Sequence, residues 1–490
     1  MSLRSQALSG FRWTASVRIL SQVITWAITL VVIRLLSPTD YGLLAMATVF
    51  IGFLSMFSEF GLGPALVQKV DLDERTLRQT FGIVLVINLV LAALLALSAP
   101  LIGAFFEEPR VIPVIRVLAL QFIIGAFGVI PNVLLQRRME FRKRSLMDLS
   151  GAIIASVTTL TLAFTGAGVW ALVMGSIVAN IWTTFGINFL APFRHWPELS
   201  MKGMRSLLTF GGHITVAGAI GTFVSQIDVI ICAKLLGNEV LGIYSVGVQL
   251  ASLPSQKIAG LINQVAFPTF SRMQQDVRGV GENVLLGTRL LSFFAFPVLW
   301  GMSSIAPEMV DVILGAKWTL AVVPLQVLAL IIPLRIIAGF VGIATQGMGR
   351  SDIILRNTIW AALVAPSLLF AGAYAGGLMG LSLAWLVLSP SLFFYAMKRF
   401  APAIGLRAGQ VYTAMMPSAG AALAMYGAVV SARYILADWQ GGILHMGVLI
   451  AVGALTYCAV SFALNCKGTV EVIDMVRSIF MSKRAYPMQT

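Results

Sequence analysis

The chain carries very little charge for its length. Only 11% of its 490 residues are Asp, Glu, Lys or Arg, while 58% are hydrophobic; soluble domains have about 25% charged residues. Because so few polar residues cannot cover so many apolar ones, this balance excludes a soluble enzyme or binding domain. It places the chain in a lipid bilayer.

Cysteine and histidine are also scarce, with three of each. Cys232, Cys458 and Cys466 form no Cys-x-x-Cys pair and no Cys/His cluster, so we expect neither a metal site nor a structural disulfide. The sequence has no Gly-x-x-x-x-Gly-Lys-[Ser/Thr] loop, which argues against an ATP-driven pump. No predicted outer loop is long enough for the acceptor site of a polysaccharide polymerase or ligase. We therefore expect a protein that is not an enzyme.

Long apolar runs joined by short connections are what the sequence does have. At about 20 residues per crossing, they predict fourteen transmembrane helices in an all-α integral membrane protein. The first run is too long for a cleaved signal peptide and is interpreted as a retained helix. The predicted helices are 13–36, 41–67, 79–102, 112–135, 146–165, 168–190, 207–233, 241–265, 286–306, 319–345, 353–373, 377–397, 411–433 and 443–464.

The basic residues indicate how these helices are oriented. The net charge of +14 does not point to nucleic acid, because most of the 34 basic residues lie in short strips between the apolar runs. With the N-terminus in the cytoplasm, strips such as 137–144 fall on the inner side, whereas acids such as Glu107 and Glu108 fall outside. The positive-inside rule therefore predicts a multi-pass protein with both termini cytoplasmic.

Part of the chain is repeated. Residues 34–42 read RLLSPTDYG (the first corner) and residues 234–242 read KLLGNEVLG (the second corner), and FTGA at 164–167 is echoed by FAGA at 370–373. This common order predicts two six-helix copies, helices 1–6 and 7–12, with the same topology and an axis along the membrane normal. The predicted domains are an N-lobe at 1–206, a C-lobe at 207–408, and helices 13 and 14 with a cytoplasmic tail at 409–490.

Four longer strings carry a family resemblance: FSEFGLGPALVQKVDLDE (57–74), LQRRMEFRKRS (135–145), YSVGVQLASLPSQKIAGLINQVAFPTFSRMQ (244–274) and FAFPVLWGMSSIAPEMVDVILGAKW (294–318). Together with the 6+6+2 helix pattern, they resemble the polysaccharide transporter branch, which includes Wzx-type flippases, of the multidrug/oligosaccharidyl-lipid/polysaccharide exporter superfamily. The resemblance implies a V-shaped, two-lobe transporter whose central cavity opens alternately to each side. It also implies a function: moving undecaprenyl-pyrophosphate-linked oligosaccharide units across the bacterial plasma membrane for exopolysaccharide or lipopolysaccharide assembly.

Charges at helix depth are the candidate binding residues, because each costs about 2.5–3.5 kcal/mol on insertion scales. Arginine can meet the oxygens of the implied pyrophosphate with a bidentate fork. In the superfamily, helices 1, 2, 7 and 8 line the cavity, so Arg18 and Lys257 are the first candidates. Arg335 follows, since it lies near the middle of its helix. The full predicted pyrophosphate-binding set is Arg18, Lys257, Arg335, Arg289 and Arg356.

Each of these sites has a plainer alternative. Some of the cations could snorkel to the inner interface (Arg18, Arg289 and Arg356). Glu59 is assigned to charge balance in the cavity, whether it neutralises Lys257 or Arg18.

Three further residues have mainly structural interpretations. We expect Arg116 to anchor the outer interface and His213 to be a packed, hydrogen-bonded side chain. Tryptophans such as Trp385 are typical of interface belts and packing, with stacking on sugar as the alternative.

Asp228, near the outer end of helix 7, is the candidate ion-coupling residue. Relatives in the superfamily couple transport to sodium or protons through an acid in the second lobe, so the resemblance implies H⁺ or Na⁺ as the coupling ion and no other cofactor. The alternative is an ion pair with Lys234 at the outer interface. No matching acid occurs in helices 11 or 12, which does not favour a full sodium cage.

Two other transport functions remain open from the sequence. An exporter of small cationic or amphipathic compounds would need acids in its cavity, and this chain offers mainly basic residues. A flippase for another polyprenyl-linked precursor, such as a peptidoglycan one, fits the same residues. The partners implied are a lipid-linked oligosaccharide, membrane lipids, and the polysaccharide polymerase and chain-length machinery.

Overall fold

The computed structural model describes residues 25–68, 73–138, 140–200, 204–439 and 442–464, together with 468 and 471. These residues are almost entirely helical. Eleven helices among them are long and apolar enough to cross a membrane, judged by length and composition. A shorter apolar helix, Thr25–Leu35, precedes them. The all-helical membrane architecture predicted from the apolar runs is therefore confirmed.

The helices follow one another with short connections. In chain order they are α1 Thr25–Leu35, α2 Pro38–Ser58, α3 Leu62–Gln68, α4 Glu74–Phe106, α5 Val111–Leu118, α6 Leu120–Arg137, α7 Phe141–Phe164, α8 Val169–Leu190, α9 Arg205–Arg272, α10 Val277–Ser304, α11 Ala306–Met309, a π-helical turn Val310–Leu314, a 3₁₀ turn Ala316–Ala321, α12 Val322–Gly347, α13 Ser351–Ala403, α14 Ala408–Ile435 and α15 Ile443–Ala463.

Local sequence explains several helix boundaries. Asp73 caps α4 by accepting a hydrogen bond from the backbone of Thr76, and Asp276 caps α10 in the same way through Gly279. Such side chains satisfy the first free N–H groups of a helix. The single helix predicted at 41–67 is wrong in one respect: it is broken between α2 and α3, where Phe60 and Gly61 both have positive φ.

Glycines break two of the longest helices. In α9 the break lies at Gly237, inside the second corner. In α13 it lies at Gly377, with φ 56° and ψ −138°. Gly168, just before α8, has nearly the same angles, φ 57° and ψ −134°. Only glycine adopts this backbone region readily, and each of the two glycines follows one copy of the FTGA/FAGA echo.

The outer surface of the helices is apolar. On α4, for example, Leu97 is 79% exposed and Leu101 is 73% exposed. In a bilayer such residues face lipid, since lipid tails are as apolar as leucine.

The chain divides into two compact units, Met1–Ser245 and Val246–Thr490. In the first unit α4 packs on α6, and α8 packs on both α6 and α7. In the second, α12 packs between α10 and α13, and α14 packs on α10 and α15. The lobe boundaries at 206 and 408 remain predictions, because they rest on sequence repetition rather than on compactness.

Candidate functional site

The two repeated corners touch each other inside the first unit. At the first corner, Ser37 and Asp40 form a capping box that starts α2: Asp40 N–H donates to Ser37 Oγ at 3.3 Å, and Ser37 N–H donates to Asp40 Oδ2 at 2.9 Å. This box holds Pro38 and Gly42 against the second corner.

Glycine makes this approach possible. A Cβ atom built on Gly242 would overlap the carbonyl oxygen of Pro38 and lie 2.6 Å from its carbon. A Cβ on Gly42 would overlap the carbonyl oxygen of Asn238 in the same way. The equal spacing of the two corners therefore places one glycine of each against the backbone of the other.

Polar contacts lie beside the touching glycines. Lys234 Nζ is 2.8 Å from Glu107 Oε1, and the Asn238 side chain donates to Glu108 Oε2 at 3.2 Å. Arg110 also donates two hydrogen bonds to the Glu108 carboxylate, from Nε and from Nη2, each at 2.8 Å. The hydrogen bond and charge of Lys234 lower the pKa of Glu107, and those of Arg110 lower the pKa of Glu108. We call the two corners with these side chains the corner contact.

Asp228 lies close to this contact but has a different partner from the one considered in the sequence. It is 6% exposed, and the fully buried Tyr244 donates its O–H to Asp228 Oδ2 at 2.6 Å. Lys234, the alternative partner, pairs with Glu107 instead. Tyr244 was not singled out from the sequence, because it lies beyond the Gly237 break and only the folded helix pair brings it to Asp228.

Glu59 occupies the break between α2 and α3, beyond the end of the α2 span. It is half-buried, and its carboxylate fills the space beside Gly63. Burial raises the pKa of Glu59, whereas the positive charge of Arg144 opposes that rise. Its predicted charge-balancing partners cannot be compared, because Arg18 and the side chain of Lys257 lie outside the described residues, as does the side chain of His213.

In the second unit, Arg289 already has a carboxylate partner. Its Nε lies 2.8 and 2.9 Å from the two oxygens of Glu471, beyond the end of α15. Arg356, near the start of α13, is exposed. Substrate binding by these two residues stays a prediction, and for Arg289 it would require the substrate to displace Glu471.

Arg335 has an aromatic neighbour rather than a carboxylate partner. Its guanidinium carbon lies 5.2 Å from the centre of the Trp385 ring. Within the part of the chain that the structure describes, no carboxylate lies at ion-pair distance from it. By contrast, Arg433 near the end of α14 is held by Glu308, with Nη2 2.9 Å from Oε2.

The predicted site residues thus fall into two groups. Glu59 and Asp228 belong to the first unit, and Arg289, Arg335 and Arg356 belong to the second. Within their own units, Asp228 lies next to the corner contact and Arg335 lies over an aromatic ring. In both places a buried or membrane-depth charge has a defined neighbour.

Comparisons with known proteins bear on the function. A family model described as "Polysaccharide biosynthesis protein" matches residues 31–323. The teichuronic acid biosynthesis protein TuaB of Bacillus subtilis (strain 168) is 24% identical over 471 residues, which cover 93% of this chain and 95% of that protein. The lipopolysaccharide biosynthesis protein WzxC of Escherichia coli (strain K12) is 25% identical over 397 residues, 79% of each chain.

A solved structure matches the fold. The lipid II flippase MurJ, in an inward closed conformation, superposes with a TM-score of 0.75 at 14% sequence identity. The match covers 92% of this chain and 98% of that one. At this identity the likeness establishes the fold of the chain as a MurJ-like transporter fold.

Proposed function

Because the chain belongs to the family of polysaccharide biosynthesis proteins, we propose that it carries a lipid-linked oligosaccharide across the membrane. The family predicted from the four strings is confirmed, and the chain is a membrane transporter rather than a catalyst. The proposed substrate is an oligosaccharide unit on undecaprenyl pyrophosphate. The proposed direction is from the cytoplasmic to the outer leaflet of the bacterial plasma membrane, with both termini in the cytoplasm.

The observation that carries this proposal is the charge of Arg335. It lies midway along α12, a helix of the span Ala316–Gly347. A cation at membrane depth is costly unless it serves a ligand or a partner, and none of the described carboxylates pairs with it. A phosphate group supplies the missing negative charge, and a guanidinium binds it in a bidentate fork.

Transport would proceed by alternating access between two lobes. The matching breaks at Gly168 and Gly377 and the paired corners support two six-helix repeats followed by two more helices, fourteen in all. Parallel repeats of this kind place the substrate pathway at their interface. In this proposal the corner contact is one closed gate of the cycle, and it must separate for the substrate to leave.

Asp228 is the proposed ion-coupling residue, with H⁺ or Na⁺ as the ion. Its burial and its bond from Tyr244 support this role, because a buried negative charge is costly and a bound cation offsets that cost. Its position next to the corner contact would let ion binding bias whether the corners are together or apart. A ligand or ion shifts such an equilibrium only through its different affinity for the two states.

Flipping in proteoliposomes tests the function. A fluorescent undecaprenyl-pyrophosphate-linked oligosaccharide is reconstituted with the purified chain, and its transfer between leaflets is followed by quenching. We expect transfer by the unaltered protein and loss with Arg335→Ala. Arg278→Ala is the matched control, because the Arg278 side chain is 91% exposed and pairs with Glu282, one turn away on α10.

The same vesicles separate the rival functions. Transfer of lipid II at a higher rate would assign the chain to a peptidoglycan precursor, and uptake of cationic dyes would assign it to drug export. Unchanged transfer with Arg335→Ala would refute the role of this cation.

A further inference from the structure

The exposed face of α12 is unusually narrow. Two thirds of its span is buried (67%), the largest share among the described spans. Within Val322–Gly347 the exposed residues are Arg335, Gly339 and Gln346. At 100° per residue, the three lie within about 40° of one another on the helical wheel. They therefore form one narrow strip, which we call the α12 strip.

The chemistry of the α12 strip is polar where a lipid-facing strip is apolar. From Val86 onward the exposed positions of α4 are all apolar, such as Leu97 and Val90. Arg335 lies at the midpoint of its helix, about 18 to 20 Å from either end at 1.5 Å per residue. A charge at that depth normally faces a water-filled cavity or the interior of the bundle. The α12 strip is thus suited to line a polar groove.

Space for a ligand opens beside Arg335. One turn along the strip, a Cβ built on Gly339 meets no atom within 4 Å. Other glycines of the same unit, such as Gly347, would meet backbone atoms. The side-chain amide of Gln346, further along the strip, can both donate and accept hydrogen bonds. A ligand with a negatively charged group next to Arg335 and hydroxyl groups next to Gln346 would therefore find a suitable partner for each.

Trp385 determines how Arg335 is presented. Trp385 lies on the part of α13 that follows the Gly377 break, and it is 6% exposed, so its ring is held by packing. The guanidinium carbon lies over this ring, 5.2 Å from its centre. A ring face attracts the cation through its charge and does not take up the five N–H donors as a carboxylate would, so these donors stay available to a ligand. A cation over an indole ring is also fixed in place without losing its charge.

We infer that Trp385 is a positioning residue and that it holds Arg335 ready for the phosphate-bearing headgroup of the transported lipid, with Gly339 leaving room for it. This inference rests on the proposed function and adds the subsite that takes the anionic part of the substrate. Trp385 acts through Arg335, so the two side chains are energetically coupled. Removal of the ring weakens phosphate binding only while the arginine is present.

Binding of farnesyl pyrophosphate to the purified full-length chain tests the inference. Affinity is measured by titration for the unaltered protein and for Trp385→Leu, Trp385→Phe, Arg335→Ala and the Trp385→Leu/Arg335→Ala double variant. From the range of cation–aromatic energies, Trp385→Leu should weaken binding by about two- to thirtyfold. Trp385→Phe keeps a ring and should recover part of that loss.

Two controls distinguish positioning from general damage. Trp360→Leu removes another tryptophan of α13, one that stacks on Tyr395 with ring centres 5.0 Å apart, and it should bind as the unaltered chain does. In the Arg335→Ala background, Trp385→Leu should cause no further loss. Equal binding by the unaltered chain and Trp385→Leu, or an undiminished loss in the Arg335→Ala background, overturns the inference. Melting temperatures measured in parallel identify a variant that fails to fold, in which case Trp385→Phe and the Arg335 variants decide.

The ligand class is tested in the same titration. We expect farnesyl pyrophosphate to bind more tightly than inorganic pyrophosphate, and farnesol to bind least. If inorganic pyrophosphate bound as tightly as farnesyl pyrophosphate, the site would be assigned to a soluble phosphate, and its assignment to a lipid headgroup would be overturned. If the chain flips the oligosaccharide but binds farnesyl pyrophosphate independently of Trp385, only the inference about Trp385 is refuted. If it binds farnesyl pyrophosphate as expected but flips no oligosaccharide, the proposed function is refuted.

Discussion

The corner contact depends on glycine at position 242, and Gly242→Ala should force it apart. In the structure, an added Cβ would overlap the Pro38 carbonyl oxygen and lie 2.6 Å from the Pro38 carbon and 2.9 Å from the Gly42 nitrogen. Ordinary contact begins near 3.4 Å. All three atoms belong to the backbone, so no side chain can rotate away. Relief of the contact with the Pro38 carbon alone needs 0.8 Å, the difference between 3.4 and 2.6 Å, and the overlap with the oxygen requires the two corners to separate further.

The cost can be bounded from known cases of overpacking. Extra methyl groups in a well-packed interior cost about 1–3 kcal/mol. At 1.4 kcal/mol for each factor of ten, the closed corner contact would become about 5- to 150-fold less populated relative to separated states. Alanine also favours helix over glycine by about 1 kcal/mol, so the control must carry the same change in a helix.

Cross-linking measures this population. Glu107→Cys and Lys234→Cys replace the two ends of the ion pair in a chain whose own cysteines are serine, and a short bismaleimide joins them when the corners are together. Gly242→Ala should slow the cross-linking. Gly221→Ala is the matched control, since Gly221 lies on the same helix α9 and its Cβ would meet no atom within 4 Å. Cross-linking at the unaltered rate in Gly242→Ala would refute the reasoning.

Three further predictions concern the charges of the first unit. Lys234→Met should lower the melting temperature at pH 7, because Lys234 lowers the pKa of Glu107 in the folded chain. The difference between variant and unaltered chain should disappear as the pH falls below the ordinary carboxyl range, and a difference independent of pH would contradict the prediction. Tyr244→Phe removes a donor from the buried Asp228 and should reduce the free energy of unfolding by about 1–3 kcal/mol. Much of that loss should be recovered in the double variant Tyr244→Phe/Asp228→Asn, whereas additive losses in denaturant titrations would argue against the pair. Transport driven by an ion gradient should slow in Asp228→Asn. Glu59→Gln should raise the melting temperature at neutral pH, because burial raises the pKa of Glu59 in the folded chain. The unaltered chain therefore loses stability as the pH rises from the unfolded to the folded pKa of this group. No gain in melting temperature at neutral pH, or a gain that persists at acid pH, would count against the prediction.

The architecture was largely predictable because its causes are local. A run of apolar residues forms a helix in lipid since the backbone has no other way to satisfy its hydrogen bonds. The corners at 34–42 and 234–242 were likewise visible as helix breaks, and the structure places Ser37 and Gly237 at them. The break at Phe60 and Gly61 was missed, because a left-handed Phe has no dependable signal in sequence.

The candidate site was only partly predictable. Depth within an apolar run was enough to single out Asp228 and Arg335, since a charge there needs a reason. Their partners were not identified, because Tyr244 lies 16 residues away across a helix break and Trp385 belongs to another helix. Glu471, which forms an ion pair with Arg289, lies beyond the last apolar run and looked like part of a solvated tail.

The sequence by itself determined that the chain is a helical membrane protein, that it contains a repeated corner, and which family it belongs to. Those properties follow from composition, from the period of the helix and from short strings. Only the tertiary structure decided that Gly42 and Gly242 bring the two corners into contact, that Lys234 takes Glu107, and that the Trp385 ring supports Arg335. Such pairings depend on how helices cross and slide against one another. Helical periodicity specifies the face on which a residue lies, but it does not specify the neighbour that the face will meet.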